Sequence, residues 1–337
     1  MILQEAGFLS AALGRFVKRF NPKAQGVSSE RVFVGAFGKH PGWDDHIDDI
    51  GLETEIFVNV KRLLYVQGIG GNIDSGSWGK LEENELIEGF KHVFVWCMDG
   101  NLIVGRLWSS RDGKGRTSYP MVVCIQCRNL PVQWVFENIL PRLEGIEARC
   151  VTATSAADVR MMLENARQEL RRLAEQCRNS PDSTVVHRDA LAKLARRPEL
   201  GPDHEGLLRV LYHIDREIGR HRSDNGKGKG LRPTLLRVPA APSITLESAV
   251  LWSSFLVARF GRSTPVLILM PLGKDWMDII VGEPTESQLY CLRAPLAVIP
   301  LTTSIPYNMG SEFIERANQL IVKSQTDGAE EDSHEAG

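Results

Sequence analysis

The sequence predicts an α+β fold: a mixed, largely antiparallel central sheet, with helices packed on its faces and a helical segment in the middle of the chain. Two observations support this prediction. Short β-rich segments between residues 92 and 127 surround the pair Asp99-Gly100, which is typical of a tight hairpin turn. Strands and helices do not alternate strictly along the chain, and this disfavours a doubly wound parallel sheet.

The elements of this fold are predicted in chain order. "RVFVGAF" predicts the first strand, and "ETEIFVNVKRLLYVQGI" predicts a helix because its apolar residues recur at helical spacing. Residues 92–127 predict a three-stranded antiparallel meander whose second connection is the longer loop "SSRDGKGRTS". Further helices are predicted in "PVQWVFENILPRL", "SAADVRMMLENARQELRRLAEQC", "DHEGLLRVLYHIDREIG" and "TLESAVLWSSFLVARFG". Strands are predicted in "TLLRV", "TPVLILMP" and "WMDIIVGE", and the two strand groups form either one sheet or two lobes.

On the basis of these elements we predict that the chain is divided into three parts. Residues 1–30 form an amphipathic helical extension, which packs on the domain or docks on a membrane surface or a partner. Residues 31–323 form an α/β domain, with an N-terminal half at 31–150, a helical insert at 151–225 and a C-terminal half at 230–323. Residues 324–337 are acidic with few apolar side chains, which predicts a disordered tail.

The composition and charge of the chain argue against some kinds of partner and environment. The formal net charge of the 337 residues is −2, which argues against a nucleic-acid partner. No run of eighteen apolar residues occurs, so we expect no transmembrane segment. Cys124 and Cys127 are three apart in a predicted strand and therefore point to opposite faces. We expect buried, reduced thiols there rather than a zinc site.

The loop "KHPGWDDHIDD" is rich in polar residues and has two interpretations, a metal site or a structural loop. As a metal site it supplies His40, Asp44, Asp45, His46, Asp48 and Asp49. Ligands within ten residues of one loop do not converge without help from elsewhere, such as His92 or His187. As a structural loop, Gly38 ends the strand, Pro41 fixes a turn and an aspartate caps the next element. We expect no metal and no cofactor.

The loop "RDGKGRTS" resembles a phosphate-binding loop only superficially. A phosphate loop needs an upstream glycine and a helix after it, whereas a strand comes after this loop. No G-x-S-x-G elbow occurs either. We expect no nucleotide binding and no enzymatic activity.

Two stretches resemble the TagF (ImpM) family of proteins associated with type VI secretion. The first matches the family signature Gly-Lys-x-Pro-x-x-Gly-Asp-Phe at Gly38, Lys39, Pro41 and Asp45, with Asp44 in place of the second glycine and His46 in place of phenylalanine. The second matches Ser-x-Asp-x-x-Gly-Arg, followed by an aromatic residue, a proline and an aliphatic residue, at Ser110, Asp112, Gly115, Arg116, Tyr119, Pro120 and Met121. Its spacing from Arg116 to Pro120 is about one residue longer than usual. A weaker likeness in "AVLWSSFLVARFGRSTPVLILMPLGKDW" extends the resemblance over roughly residues 31–300 and indicates a divergent member.

The resemblance implies a function. Such proteins are cytoplasmic accessory factors of the bacterial type VI secretion system. They are associated with post-translational repression and linked to a forkhead-associated scaffold protein and to threonine phosphorylation. It implies protein partners, no small-molecule substrate, and recruitment to the inner-membrane secretion complex. Two alternatives stay open: a metal-dependent hydrolase that uses the His40–Asp49 loop, and a structural subunit of a contractile secretion assembly.

The two motifs predict a shared site. Lys39 lies directly after the first strand, and Asp112 and Arg116 lie in the loop between two strands of the meander. If the first strand joins that sheet in the right direction, Lys39, Asp45, Asp112 and Arg116 meet at one end of it and pair by charge. Such a site is either a structural junction or a polar docking face.

Overall fold

The structure is a computed structural model that describes residues 31–81, 86–177, 189–224, 232–241 and 245–335. The predicted helical extension at 1–30 lies outside these residues, as does most of the basic, glycine-rich segment before residue 232. Seven strands form one sheet: β1 (Val32–Gly38), β2 (Lys91–Met98), β3 (Asn101–Ser109), β4 (Pro120–Cys127), β5 (Thr234–Pro239), β6 (Val266–Pro271) and β7 (Trp276–Val281).

The strand order is β1-β4-β3-β2-β6-β7-β5, and each pair of neighbours in the described sheet is antiparallel. The α+β prediction is confirmed. The sequence predicts a mixed, largely antiparallel sheet, whereas the described sheet contains no parallel pair of strands. The pairing of β2 with β6 joins the two groups of strands into one sheet and rules out two separate lobes.

The predicted meander is confirmed. β2 pairs with β3, and β3 with β4, in an unbroken register from Met98↔Asn101 and Leu102↔Cys127 onward. Asp99 and Gly100 have φ of 48° and 73°, the positive values that a two-residue hairpin turn of the primed type requires.

The helices are α1 (Glu55–Val60, continuing as a π-helix over Lys61–Gly70 and as an α-helix over Gly71–Asp74), α2 (Val132–Asn138), α3 (Leu140–Thr152), α4 (Ala156–Gln176), α5 (Ala190–Ala195), α6 (Glu205–Asp224), α7 (Thr245–Phe260), α8 (Glu286–Leu289) and α9 (Ser311–Glu335). The predicted cap of α4 is confirmed, since the Ser155 side chain accepts a hydrogen bond from the backbone N–H of Asp158. None of the helices in the described part of the chain is long and apolar enough to cross a membrane.

Each face of the sheet packs against its own set of helices. On one face aliphatic residues of all seven strands pack against α2–α7 and α9. On the other face aromatic residues such as Phe37, Phe94 and Trp96 pack against α1 and α8. Cys127 belongs to the first core and Cys124 to the second, as strand alternation predicts. Both thiols are free and buried.

The last described helix reaches into the C-terminal segment. α9 is assigned over Ser311–Glu335 and packs on the first core through Ala317 and Ile321. The disordered tail that composition predicts for residues 324–337 stays a prediction.

Candidate functional site

The two motif loops meet at one end of the sheet. β1 and β4 are antiparallel neighbours, and Gly38 at the end of β1 stands opposite Met121 at the start of β4. The loop after β1 and the loop before β4 therefore leave the sheet at the same edge. We call residues 38–46 and 110–120 together the loop junction.

Gly38 sets the direction in which the first loop leaves. Its φ is +117°, a value that side-chain-bearing residues rarely adopt. A Cβ at this position would lie 2.2 Å from the carbonyl oxygen of Pro120. The same carbonyl accepts hydrogen bonds from the backbone N–H of Lys39 at 3.2 Å and from the Tyr65 hydroxyl at 3.2 Å. Glycine is thus required here because the two loop backbones touch.

A buried ion pair lies inside the junction. Lys39 Nζ lies 3.0 Å from Asp112 Oδ2, and both side chains have no exposed surface. Asp112 Oδ2 also accepts from Arg116 Nε at 2.7 Å, while Oδ1 accepts from the backbone N–H groups of Lys114 and Arg116, both at 3.0 Å. The carboxylate therefore has four donors for its two oxygens, so its burial costs no unmet hydrogen bond.

These donors determine the charge state of Asp112. Burial by itself raises the pKa of a carboxyl group. Here the Arg116 backbone N–H and the Lys39 and Arg116 side chains outweigh burial and lower the pKa of Asp112 to about 2. Asp112 is therefore ionised at neutral pH.

Arg116 links the buried pair to the surface. Its side chain, 32% exposed, contacts Asp112 on one side and Asp45 Oδ1 at 3.0 Å on the other. Its Nη2 also donates to the carbonyl oxygen of Asp44 at 3.0 Å. The backbone N–H of Gly113 donates to the Trp43 carbonyl at 2.6 Å and closes the gap between the loops. The four charged residues predicted to meet do so.

Aromatic rings cover the inner side of the junction. Lys39 Nζ lies 5.8 Å from the ring centre of Tyr119, which also packs 5.1 Å from His46 and 5.5 Å from Tyr65. His46 Nδ1 donates to Asp45 Oδ1 at 3.1 Å. Burial lowers the pKa of His46, against the raising effect of Asp45. His46 is therefore neutral at pH 7 and fills the position where the resembled motif has phenylalanine.

The other predicted site residues have simpler roles. Gly115 has φ of +80°, and its N–H donates to the Asp112 carbonyl at 2.9 Å, which closes the tip of the second loop. The carbonyl of Pro41 lies close beside Gly113. Ser110, half-buried just after β3, takes no part in the hydrogen bonds of the junction.

The hypothesis of a metal site in the first loop names His40 as a ligand, but the His40 ring is already hydrogen-bonded. His40 Nε2 donates to the Cys150 carbonyl at 2.9 Å, and Nδ1 accepts from the Gly42 N–H at 3.0 Å. Both ring nitrogens are engaged, because His40 fastens the loop to the end of α3. His92, proposed as a distant ligand, is buried on β2, where burial lowers its pKa to about 3. His187 lies outside the described residues, within which no three His, Cys, Asp or Glu side chains could hold a metal ion.

The second loop lacks the geometry of a phosphate cradle. Lys114 is exposed, and the chain enters β4 after the loop rather than a helix. A phosphate loop presents its backbone N–H groups at a helix N-terminus, whereas here the Lys114 and Arg116 N–H groups already bind Asp112.

Sequence reasoning missed two structural partners. Tyr65 reaches the junction from α1, and nothing in its helical pattern indicates that its hydroxyl binds Pro120. A second buried ion pair joins Arg237 of β5 to Asp278 of β7, with Nε–Oδ1 at 2.7 Å and Nη2–Oδ2 at 2.8 Å. Its signal was present in the sequence, since single charged residues interrupt the apolar strands "TLLRV" and "WMDIIV".

Comparison with known proteins gives a likeness to solved structures but no family. No protein-family model matches the chain. No curated protein matches it either. Among solved structures, the crystal structure of PA0076 from Pseudomonas aeruginosa PAO1 is similar with 17% sequence identity and a TM-score of 0.32. The match covers 41% of this chain and 62% of that chain, so it spans less than two thirds of the PA0076 chain.

Proposed function

We propose that this protein is a cytoplasmic accessory protein of a bacterial type VI secretion system. It acts as a post-translational, negative regulator by binding a forkhead-associated scaffold protein at the inner-membrane secretion complex, and it is a binding protein rather than an enzyme. The proposal rests on the resemblance of the two motifs to the TagF family and on the geometry of the loop junction.

The observation that carries the proposal is the division of the junction into a buried and an exposed part. Lys39 and Asp112 are buried and hydrogen-bonded, so they hold the two loops together. Arg116 and Asp45 extend this network outward, and Asp44 and Lys114 are exposed beside them. Two loops that resemble one family's motifs thus present a single polar rim on a rigid base, and such a rim suits recognition of a protein partner.

Binding of purified proteins tests the proposal. The partner is the forkhead-associated protein encoded in the same genome, and binding is measured by calorimetry. Asp44→Lys combined with Lys114→Glu reverses two exposed charges without removing an ion pair of the described structure. We expect this variant to keep its melting temperature and to bind at least about tenfold more weakly.

Arg316→Glu is the matched control, because Arg316 lies on the exposed surface of α9 with only Glu312 as its ion-pair partner in the described structure. We expect it to bind as the parent does. Absence of a complex with the parent protein would refute the scaffold assignment. If deletion of the gene left secretion unchanged, the regulatory role would be wrong as well.

The structural-subunit alternative predicts a different outcome. A subunit of the contractile assembly would co-sediment with sheath and baseplate components, whereas a regulator stays in the soluble fraction after assembled machines are removed. Fractionation of cells that express the protein at its native level distinguishes the two.

A further inference from the structure

An apolar groove lies between α6, α7 and α9, beside the first core. It has a volume of about 500 Å³, which is in the range of a binding site. Leu320 of α9 is 44% exposed at its lip, so part of this apolar surface is open to water. The apolar residues that line the groove include Leu211, Ile214, Phe255, Phe260, Phe313 and Leu320.

The polar groups of the groove are at its rim. They are Asp215 of α6, Arg259 of α7 and Arg316 of α9, and all three residues are exposed. A small-molecule site places a few polar groups inside an apolar pocket to orient the ligand, and none of the described lining residues does so here. A wide apolar floor with charges of both signs at the rim suits the apolar face of an amphipathic helix instead.

The first twenty residues of the chain contain an apolar stripe with the spacing that such a groove requires. Arg15, Lys18 and Arg19 fall away from this stripe on a helix. Gly7 and Gly14 weaken a helix by themselves, so we expect one to form here only against a surface that receives the stripe. The residues of the stripe recur at intervals of alternately four and three positions and are Ile2, Ala6, Leu9, Leu13, Phe16 and Phe20.

Arg31 fixes the point at which residues 1–30 join the domain. Its Nη1 donates to the carbonyls of Ala174 and Cys177, at the end of α4, at 3.0 and 2.9 Å. Its Nη2 donates to the carbonyl of Asn129. Asn129 lines a narrow cleft whose other wall includes Val257 of α7, so Arg31 lies near the last turns of α7.

The groove is on the other side of the same turns of α7. Phe255 and Arg259 are two positions before and after Val257, which places them on the opposite face of the helix. A chain that leaves Arg31 must therefore pass α7, whose diameter with side chains is about 10–12 Å. Residues 21–30, "NPKAQGVSSE", have the composition of a linker, and ten extended residues span up to about 33 Å.

We propose that the groove between α6, α7 and α9 receives residues 1–20 of the same chain as an amphipathic helix, with its apolar stripe on the groove floor. The linker is long enough, the stripe has the spacing of a helix face, and the rim of the groove carries no excess of one charge that would repel the basic side chains. The segment then packs on its own domain rather than on a membrane surface or another protein.

Photo-crosslinking in the full chain tests this proposal. Benzoylphenylalanine replaces either Leu320, which lines the groove, or Val322, which is 56% exposed and lies on the opposite face of α9. We expect irradiation to join position 320 to a residue within 1–20 of the same chain, as identified by peptide mass spectrometry. Position 322 is the matched control and should give no such product.

Variants of the segment show whether the stripe makes the contact. Leu13→Asp combined with Phe16→Asp puts charges into the stripe and should abolish the crosslink from position 320, whereas Lys18→Gln should leave it unchanged. Limited trypsin digestion gives a second measurement. Cleavage after Arg15 and Arg19 should be slow in the parent protein and rapid in the double variant.

Three results would overturn the proposal. The first is the absence of a crosslink between position 320 and residues 1–20. The second is a crosslinked product with the mass of two chains, which would assign the groove to a second copy. The third is binding of the parent protein to vesicles of equal parts phosphatidylglycerol and phosphatidylethanolamine that is lost in the Leu13→Asp, Phe16→Asp variant, which would assign the segment to a membrane surface.

Discussion

Lys39 and Asp112, 73 positions apart in sequence, form an ion pair of 3.0 Å with neither side chain exposed. Removal of one partner from such a pair leaves an uncompensated buried charge, and this is more costly than the net stabilisation that the intact pair provides. The pair therefore fixes how the two motif loops meet, whatever it contributes to overall stability.

Asp112→Ala should lower the free energy of unfolding by about 3–5 kcal/mol, because it strands the Lys39 ammonium and removes four accepted hydrogen bonds. Urea denaturation measures this. Asp45→Ala is the control: the Asp45–Arg116 pair is partly exposed, so we expect a loss of no more than about 1 kcal/mol. A loss of similar size in the two variants would show that the buried pair is not a structural junction.

Acid should weaken the fold through Asp112. Its folded pKa of about 2 lies below the ordinary value of 3.8, so its contribution is fully present above about pH 4 and is lost as pH falls toward 2. The shift corresponds to about 2 kcal/mol. We expect Asp112→Asn to flatten the pH dependence of stability in this window. Parallel curves for the two proteins would contradict the assignment.

Gly38→Ala should destabilise the protein by at least about 2 kcal/mol, because it forces a side chain into positive φ and against the Pro120 carbonyl. Gly145→Ala is a matched control in α3, where a Cβ meets nothing within 4 Å. That variant should gain about 0.5–1 kcal/mol from helix propensity. Thermal unfolding of both variants measures these changes in stability. If Gly38→Ala left the stability unchanged, the two loops could separate without a free-energy cost.

The buried cysteines should be inert in the folded protein. Burial raises the pKa of Cys124 and Cys127 well above the ordinary value, and raises that of Cys150 to about 12. Since thiolates are the reactive form, we expect these three to react with Ellman's reagent only after unfolding. Peptide mapping should show no Cys124–Cys127 disulfide, because their side chains lie on opposite faces of the sheet. Rapid labelling of Cys124 in the native state would contradict this.

Local patterns were sufficient for much of the fold. The turn at Asp99-Gly100, the cap at Ser155 and the strand and helix periods all depend on residues within a few positions of one another, which is why they can be read directly. The meeting of Lys39 with Asp112 was also predictable, since one topological condition, β1 antiparallel to β4, brings both loops to the same end.

The sequence by itself therefore determined the class of fold, the order of its elements and the charges that the junction collects. Tertiary structure alone decided that β2 pairs with β6. It also decided that the Tyr65 hydroxyl binds the Pro120 carbonyl, 55 residues away in sequence, and that Arg237 pairs with Asp278, 41 residues away. These contacts join residues whose separation in space depends on how whole layers pack, and no short-range pattern encodes that packing.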